Sequence, residues 1–341
     1  MKVAIIGTGL QAERRAGPLL HSARDTLAFV ASAQEARARN FAQRHSCAIW
    51  GSWRDAVARK DIDAVVICTT PESHAEIAIA ALGSGKHVLC EKPLARTLAE
   101  AEAMVAAAAA AGRILKCGFN HRHHPALAQA KAVADSGALG RLIVGRCRYG
   151  ICGRPDYDRE WRANPQQAAG GQLMELGIHV VDLFRWFFGD VDEVACMTGA
   201  QFFPIAPLDD NGMALLRTRS GAICSLHSSL TQWKNLFSFE VIGQEGYLSV
   251  EGLGASYGTP NLVVGRRDHD APFQHTQTEF RGADRSWQLE WEEFASAVQE
   301  GRAPIGDGVD GLEALRVVLT AYAAAEQKRT LPVGPVRTVG T

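Results

Sequence analysis

The chain has 341 residues, of which 47% are hydrophobic and 21% are charged, and its formal net charge is -1. A length of this order predicts about two domains of ordinary size. The near-neutral charge gives no basic surface for nucleic acid or for an anionic membrane, so we expect neither as a partner.

The amino terminus and the cysteines bear on the compartment. The start of the chain has too short an apolar stretch for a signal peptide, and no uncharged apolar run reaches the ~18 residues that a membrane span needs. The eight cysteines are scattered without a C-x-x-C pair, which is typical of free thiols in a reducing compartment. We therefore expect a cytoplasmic protein.

The first third of the chain alternates apolar runs with helical segments. Short apolar runs, typical of parallel strands buried on both faces, cover residues 3–6, 27–31, 64–68, 88–90 and 114–118. Segments rich in Ala, Glu and Arg predict helices over residues 35–44, 73–83 and 97–111. This alternation predicts an α/β domain over residues 1–120, a doubly wound parallel sheet of the Rossmann type that binds a dinucleotide.

The pattern changes from residue 142 onward. Longer strands are predicted in a meander over residues 142–149, 194–203, 212–218, 222–231, 237–243 and 247–251. One long helix over residues 171–188 falls between the first two of these strands, and helices over 286–300 and 309–327 follow the last. We expect a second, α+β domain over residues 121–341 with an open, mainly antiparallel sheet.

A glycine-rich turn, Gly7-Thr8-Gly9-Leu10-Gln11-Ala12, follows the first strand and opens into a helical stretch. In this context it predicts nucleotide binding, the alternative being a tight turn that needs glycine for its backbone alone. The second strand ends without the carboxylate that would select NAD. Ser32 can donate to a phosphate and Arg37 follows one helical turn later, which slightly favours NADP over NAD unless Arg37 is only a solvated helix residue.

The segment Glu91-Lys92-Pro93 closes the apolar run of the fourth predicted strand. The carboxyl ends of parallel strands border the crevice in which such sheets hold their ligands. Lys92 is therefore expected to point toward a bound cofactor or substrate.

The predicted helix 171–188 carries one polar stripe on an otherwise apolar surface. Glu175, His179 and Asp182 recur at i, i+4 and i+7, while the rest of the helix is apolar nearly all round. A buried helix of this kind needs partners for its polar groups, so the stripe is either a functional site or a satisfied core network. Gly177 within it indicates close approach of a ligand or of another backbone.

Two further segments are candidates for the site. Asn120 and Arg122 follow the last strand of the first domain, in a segment whose three histidines lack the cysteines or carboxylates of a metal site, so no metal is expected. The aromatic and charged stretch 157–162 could grip a polyhydroxylated ligand, or it could be an ordinary surface loop.

Together these motifs resemble the Gfo/Idh/MocA family, the glucose-fructose oxidoreductase and inositol dehydrogenase type, over nearly the whole chain. The resemblance rests on the glycine-rich turn, on segments 69–74 and 85–95, and on Gly170-Gly171 followed by Glu175, His179 and Asp182. It implies that Lys92 is the catalytic-site lysine and His179 the general acid/base. Glu175 occupies a position that is often aspartate in this family.

The resemblance also implies which residues bind the two ligands. The residues expected at the cofactor are Gly7, Thr8, Gly9, Leu10, Gln11, Ser32, Arg37, Thr69, Thr70, Pro71, His74, Glu91, Lys92 and Asn120. The residues expected at the substrate are Lys92, Arg122, Tyr157, Trp161, Arg162, Glu175, His179 and Trp233.

The implied reaction transfers hydride between a secondary hydroxyl and NAD or NADP. Neutral His179 takes the hydroxyl proton while Lys92 hydrogen-bonds the same oxygen, and the reverse direction is equally allowed. The family implies a sugar, cyclitol or sugar derivative, possibly a nucleotide sugar. An NAD-dependent glycosidase that uses transient oxidation and a non-catalytic NADP-binding sensor are the alternatives, and the presence of both Lys92 and His179 argues against the sensor.

The second domain is also expected to associate with a copy of itself. Apolar segments 202–205 and 236–239 supply more apolar surface than one layer of helices can cover. Packing of two sheets across a two-fold axis would bury it, so we expect a homodimer or homotetramer.

Overall fold

A computed structural model describes residues 1–272 and 274–334. The described chain divides into two compact units: residues 1–120 with 287–313, and residues 121–286 with 314–334.

The expected second domain included 287–313, but this segment packs in the first unit. Glu290 forms an ion pair with Arg15 there, and the Trp291 indole donates to Asp25. Residues 335–341 of the expected second domain lie outside the described residues.

The first unit contains a parallel sheet, as predicted. Within the described residues its strands are β1 (Lys2–Ile6), β2 (Thr26–Ala31), β3 (Trp50–Gly51), β4 (Ala64–Ile67), β5 (His87–Glu91) and β6 (Leu115–Gly118). They are ordered β3-β2-β1-β4-β5-β6, and every neighbouring pair is parallel. Strand β3 was not predicted, because a strand of two residues is too short to show a periodic pattern in the sequence. The strand order reverses between β1 and β4, which is where sheets of this kind bind their ligands.

Within the described residues, a helix lies between each two successive strands of this sheet. These helices are α1 (Leu10–Leu20), α2 (Glu35–Arg44), α3 (Trp53–Ala58), α4 (His74–Gly83) and α5 (Leu98–Ala111). Helix α5 begins at a capping box, in which Thr97 accepts from the Glu100 N–H and Glu100 accepts from the Thr97 N–H. It ends at Gly112, whose left-handed conformation (φ +57°) is typical of a glycine at a helix C-terminus.

The second unit is built on a larger sheet. Within the described chain its strands are β7 (Leu142–Gly150), β8 (Val191–Gly199), β9 (Asn211–Thr218), β10 (Ile223–Ser229), β11 (Leu236–Gly243), β12 (Gly246–Glu251), β13 (Asn261–Arg266), β14 (His275–Glu279) and β15 (Leu331–Pro332). Their order is β14-β13-β12-β11-β7-β10-β9-β8-β15. The sheet is mainly antiparallel, as expected, but β7 lies between β11 and β10 and pairs in parallel with β10, so a simple meander was wrong.

The predicted helix 171–188 is two helices, α7 (Gln172–Glu175) and α8 (Gly177–Phe188), after α6 (Pro125–Asp135). The first turn is tied to other elements, because the Leu173 N–H donates to Asp209 and the Gly171 N–H to the Tyr322 hydroxyl. A Cβ on Gly177 would lie 3.1 Å from the Leu173 side chain and 3.3 Å from the Ser228 hydroxyl, so the close neighbours there are side chains and not the ligand or backbone that the sequence indicated. Helices α9 (Ser286–Glu300) and α10 (Gly308–Gln327) follow the sheet.

The apolar surface of the larger sheet is not the one expected. Phe237 and Phe239 are buried, since they alternate onto the covered face of β11. In the other expected segment, Phe202 is 76% exposed, but it lies in the loop between β8 and β9. On the sheet itself, exposed apolar side chains include Met197, Met213 and Leu215, which are 82%, 57% and 57% exposed on the adjacent strands β8 and β9.

Candidate active site

The glycine-rich turn has the backbone that a dinucleotide requires. Gly7 has φ +106°, and a Cβ there would lie 2.5 Å from the Cys68 carbonyl oxygen, so only glycine fits between β1 and β4. Gly9 is the N-cap of α1, and a Cβ there would meet open space. The first N–H groups of α1 therefore face an open position, which suits a pyrophosphate.

The register of the sheet brings the expected cofactor residues to one edge. Ile6 is level with Ala31 of β2 and Ile67 of β4, and Ile67 is level with Cys90 of β5. The residues that follow these strands are therefore neighbours along the crevice. They are Gly7 with Thr8, Ser32, Thr69 with Thr70, and Glu91 with Lys92.

The end of β2 holds its serine beside the glycine-rich turn. The Thr8 hydroxyl donates to Ser32 Oγ at 3.5 Å, and the Gln34 N–H donates to the same oxygen at 3.3 Å. Arg37 is exposed in the first turn of α2. A hydroxyl and a cation thus follow the end of β2, where the ribose of a dinucleotide is recognised in sheets of this kind, and the first carboxylate after the strand is Glu35 at the start of α2.

His74 connects two of the expected cofactor segments. Its ring is 1% exposed, with Nε2 3.1 Å from the Thr69 carbonyl oxygen and Nδ1 3.0 Å from that of Pro93. Burial lowers the pKa of His74 against the opposing effect of these hydrogen bonds. His74 therefore fixes the Thr69-Thr70-Pro71 turn to the segment that carries Lys92.

A buried ion cluster lies directly before Lys92. Arg15 of α1 donates from Nε to Glu91 Oε1 at 2.8 Å and pairs through Nη1 with Glu290 of α9. Lys116 Nζ lies 3.7 Å from the second carboxylate oxygen of Glu290. Arg15 and Glu290 were not found from the sequence, because ion pairs between residues 275 positions apart leave no local pattern. The cluster fixes the Glu91 carboxylate, and Lys92 follows as a partly exposed side chain.

In the second unit, the polar stripe has partners. Arg122 grips Asp182 with Nε 2.9 Å from Oδ2 and Nη2 2.7 Å from Oδ1, and both side chains are buried. The His179 ring lies 4.2 Å from the ring of His121, centroid to centroid. Glu175 is partly exposed, with Oε2 3.5 Å from Arg162 Nε. Arg122 was expected to bind the substrate, but its Nε and Nη2 groups donate to Asp182 within the second unit.

The other residues expected at the substrate differ in exposure. Tyr157 is buried, and its hydroxyl accepts from Gln172 Nε2 at 2.9 Å; burial raises the pKa of Tyr157. The Arg162 guanidinium lies 4.4 Å from the centre of the Trp161 ring, and both are partly exposed. Trp233 lies in the loop between β10 and β11 with 99% of its side chain exposed.

Asn120 is buried at the end of residues 1–120 of the first unit. The three histidines after it, His121, His123 and His124, are buried at the start of the second unit. Among the described residues, no group of three His, Cys, Asp or Glu is arranged to hold a metal ion. Throughout residues 1–272 and 274–334, no helix is both long and apolar enough to cross a membrane.

Residues 1–119 match the model described as "Oxidoreductase family, NAD-binding Rossmann fold", and residues 127–249 match the "GFO/IDH/MocA C-terminal domain". The chain is 31% identical over 280 residues to 1,5-anhydro-D-fructose reductase of Ensifer adhaerens, covering 80% of each chain. It is 33% identical over 221 residues to levoglucosan dehydrogenase of Pseudarthrobacter phenanthrenivorans, covering 57% of this chain and 56% of that one. A solved structure of a levoglucosan dehydrogenase with NADH and levoglucosan superposes with a TM-score of 0.89 at 25% identity, over 98% of this chain and 99% of that one. The chain therefore belongs to the Gfo/Idh/MocA family and is an oxidoreductase.

Proposed function

We propose that the protein is a cytoplasmic NAD(P)-dependent dehydrogenase or reductase that acts on a secondary hydroxyl of a sugar, cyclitol or sugar derivative. The observation that carries the proposal is that each unit holds one of the two residues in a fixed setting, a lysine directly after a fixed strand end and a histidine on a buried helix. Lys92 follows Glu91, whose carboxylate is fixed by Arg15, and His179 lies on α8 among buried rings. All eight cysteines are free thiols, which supports a reducing compartment.

The residues have distinct parts in the proposed reaction. The nicotinamide, when bound, accepts or donates the hydride. His179 takes the proton of the substrate hydroxyl in the oxidative direction, and the Lys92 ammonium donates a hydrogen bond to the same oxygen as negative charge develops on it. In the reductive direction His179 returns the proton. Glu175 is proposed to orient the substrate, since its carboxylate is paired with Arg162 and remains partly exposed.

The relatives narrow the substrate class. The names of two of them refer to anhydro sugars, one to 1,5-anhydro-D-fructose and one to levoglucosan. Trp161 and Arg162 are stacked and partly exposed near Glu175, and an aromatic face beside charged donors suits a hydroxylated ring. We propose a cyclic polyol, with an anhydro sugar as the first compound to test and a nucleotide sugar as an alternative.

The proposed cofactor is NADP or NAD, and the residues at the end of β2 slightly favour NADP. Ser32 and Arg37 supply a donor and a cation, and no carboxylate stands at the end of β2 to repel a 2′-phosphate. NADH is the cofactor in the solved levoglucosan dehydrogenase complex, so both forms belong in every assay.

The exposed face of the larger sheet supports self-association. Met197, Met213 and Leu215 form one apolar strip on β8 and β9, and Ile223 of β10 extends it at 46% exposure. Such strips on soluble proteins mark interaction surfaces. We propose that two copies bury this face against each other, as a homodimer or within a homotetramer.

A substrate screen tests the proposed reaction. The purified protein is incubated with levoglucosan, 1,5-anhydro-D-fructose, myo-inositol, glucose and UDP-sugars, each with NAD and NADP in both redox states, and absorbance at the nicotinamide band is followed. Turnover of at least one compound is expected. Lys92→Ala and His179→Ala should each lower kcat by about 100-fold or more with cofactor affinity little changed. Near wild-type turnover in either variant would remove that residue from the mechanism.

A further inference from the structure

The imidazole of His179 rests against a second imidazole. The ring of His121 lies 4.2 Å from that of His179, with an angle of 30° between their planes, and each residue is 6% exposed. The Tyr149 ring meets His179 edge-on at 6.3 Å. A flat side chain thus covers one face of the proposed general base.

His121 is itself held by the sheet. Its ring lies 5.3 Å from that of Tyr149 and 5.9 Å from that of Phe237. Tyr149 of β7 and Phe237 of β11 are directly paired in the ladder, and their rings meet at 84° and 5.3 Å. The position of His121 is therefore set by two adjacent strands, which are the most rigid support the second unit offers.

The neighbouring residue fixes the helix that carries His179. Arg122 pairs with Asp182, which lies three residues after His179 and on the same side of α8. Two consecutive residues thus contact α8 at positions 179 and 182, one through a ring and one through an ion pair. The backbone of His179 and the plane of its ring are restrained by separate contacts.

The ring plane needs such a restraint because the last side-chain torsion of histidine is broad and is not fixed by its rotamer. A proton acceptor works only when its nitrogen is held close to the direction of the substrate hydroxyl. We propose that His121 is a positioning residue, whose ring holds the His179 imidazole in the orientation needed for proton transfer. This inference rests on the proposed function of His179.

Three variants test the role of the ring. His121→Leu replaces the imidazole by an apolar side chain of similar bulk without a flat ring, and kcat should fall about 10- to 100-fold with little change in KM. His121→Phe restores the ring without its nitrogens, and kcat should return to within about threefold of the wild type. Phe294→Leu is the matched control for loss of a buried ring, since Phe294 is buried and packs against Trp291 in the first unit, and it should lower Tm without lowering kcat. All are assayed with the compound and cofactor of highest turnover in the screen.

A measurement without substrate follows the His179 ring directly. In protein labelled with ¹⁵N-histidine, the His179 signals are identified by their loss in His179→Asn. The proposal expects these signals to keep their positions in His121→Phe and to shift or broaden in His121→Leu. Unchanged signals in His121→Leu would overturn the proposal.

The kinetic outcomes separate this inference from the function on which it rests. Wild-type kcat in His121→Leu, with His179→Ala inactive, would overturn the positioning role and leave the general base in place. A loss in His121→Phe as large as in His121→Leu would also overturn it, because the nitrogens and not the ring would then matter. An equal loss of kcat in Phe294→Leu would overturn the specific role of His121, because the loss of any buried ring would then lower kcat. Full activity of His179→Ala would instead refute the proposed function.

Discussion

Removing the charge of Asp182 should destabilise the protein strongly. The side chains of Arg122 and Asp182 are 5% and 1% exposed, and the guanidinium donates to both carboxylate oxygens. In Asp182→Asn an amide N–H₂ would face one of these donors, leaving a buried cation without its counterion. Loss of one partner of a buried pair costs about 3–5 kcal/mol, so we expect the free energy of unfolding to fall by that amount.

Urea unfolding at neutral pH measures this loss. Trp186 is a suitable reporter, because the Arg122 guanidinium lies 5.6 Å from its ring centre. The matched control is Glu193→Gln, which breaks an ion pair with Arg217 at the surface, where the side chains are 40% and 50% exposed. An exposed pair contributes about 0–1 kcal/mol, so the control should remain close to the wild type.

The double variant Arg122→Met/Asp182→Leu sharpens the test. It leaves no unpaired charge in the core, and replacement of a whole buried pair by apolar side chains is often neutral. Its loss of stability should therefore be much smaller than the sum for Asp182→Asn and Arg122→Met. A loss below about 1 kcal/mol in Asp182→Asn, or additive losses in the double variant, would refute the reasoning, since the energetics of a buried pair predict neither.

Three further predictions concern other parts of the molecule. Burial raises the pKa of Asp210, but donation from the backbone N–H groups of residues 201–203 outweighs it and holds the pKa below its ordinary value. This stabilisation is present above the unfolded-state pKa of about 3.9 and is lost as pH falls through the folded-state pKa. Asp210→Asn should therefore cost about 2 kcal/mol at pH 7 and progressively less below about pH 4, and equal losses in unfolding at pH 7 and pH 3 would contradict this. Ser32→Asp should shift preference toward NAD in fluorescence titrations, and a wild type that binds NAD far more tightly than NADP would show the proposed cofactor preference to be wrong. Leu215→Asp should convert the oligomer to a 36.8 kDa monomer in light scattering, and a monomeric wild type would remove the proposed interface.

The strand ends of the first unit could be read from the sequence because their chemistry is local. Each central strand is a continuous apolar run buried on both faces, so its carboxyl end is marked by the first polar or small residue. Gly7, Ser32 and Lys92 were expected at one edge for this reason, and the parallel register places the strand ends that precede them level with one another.

The contacts that fix these ends could not be read in the same way. Arg15 lies in α1 and Glu290 in α9, and neither helix pattern distinguishes them from solvated charges. The segment 287–313 was assigned to the wrong unit for the same reason, because its partners are remote in sequence. The break at Leu176 also depends on remote donors and acceptors, since Asp209 and Tyr322 hold the first turn of α7.

The polar stripe of the predicted helix was open to two interpretations, a functional site or a satisfied network. The structure shows a satisfied network at Asp182, while the function of Glu175 and His179 stays a proposal. Asp182 is fully buried and its charge is matched by Arg122, so it belongs to a network that serves the fold. Glu175 is partly exposed and lies after the Gly171 turn, in a separate short helix, with Arg162 as its partner. His179 stands between them, and its ring contacts His121 within the same buried surroundings. The network at Asp182 lies on the same helix as His179, α8, and supplies the rigidity that the proposed base requires, whereas Glu175 stands on the separate helix α7.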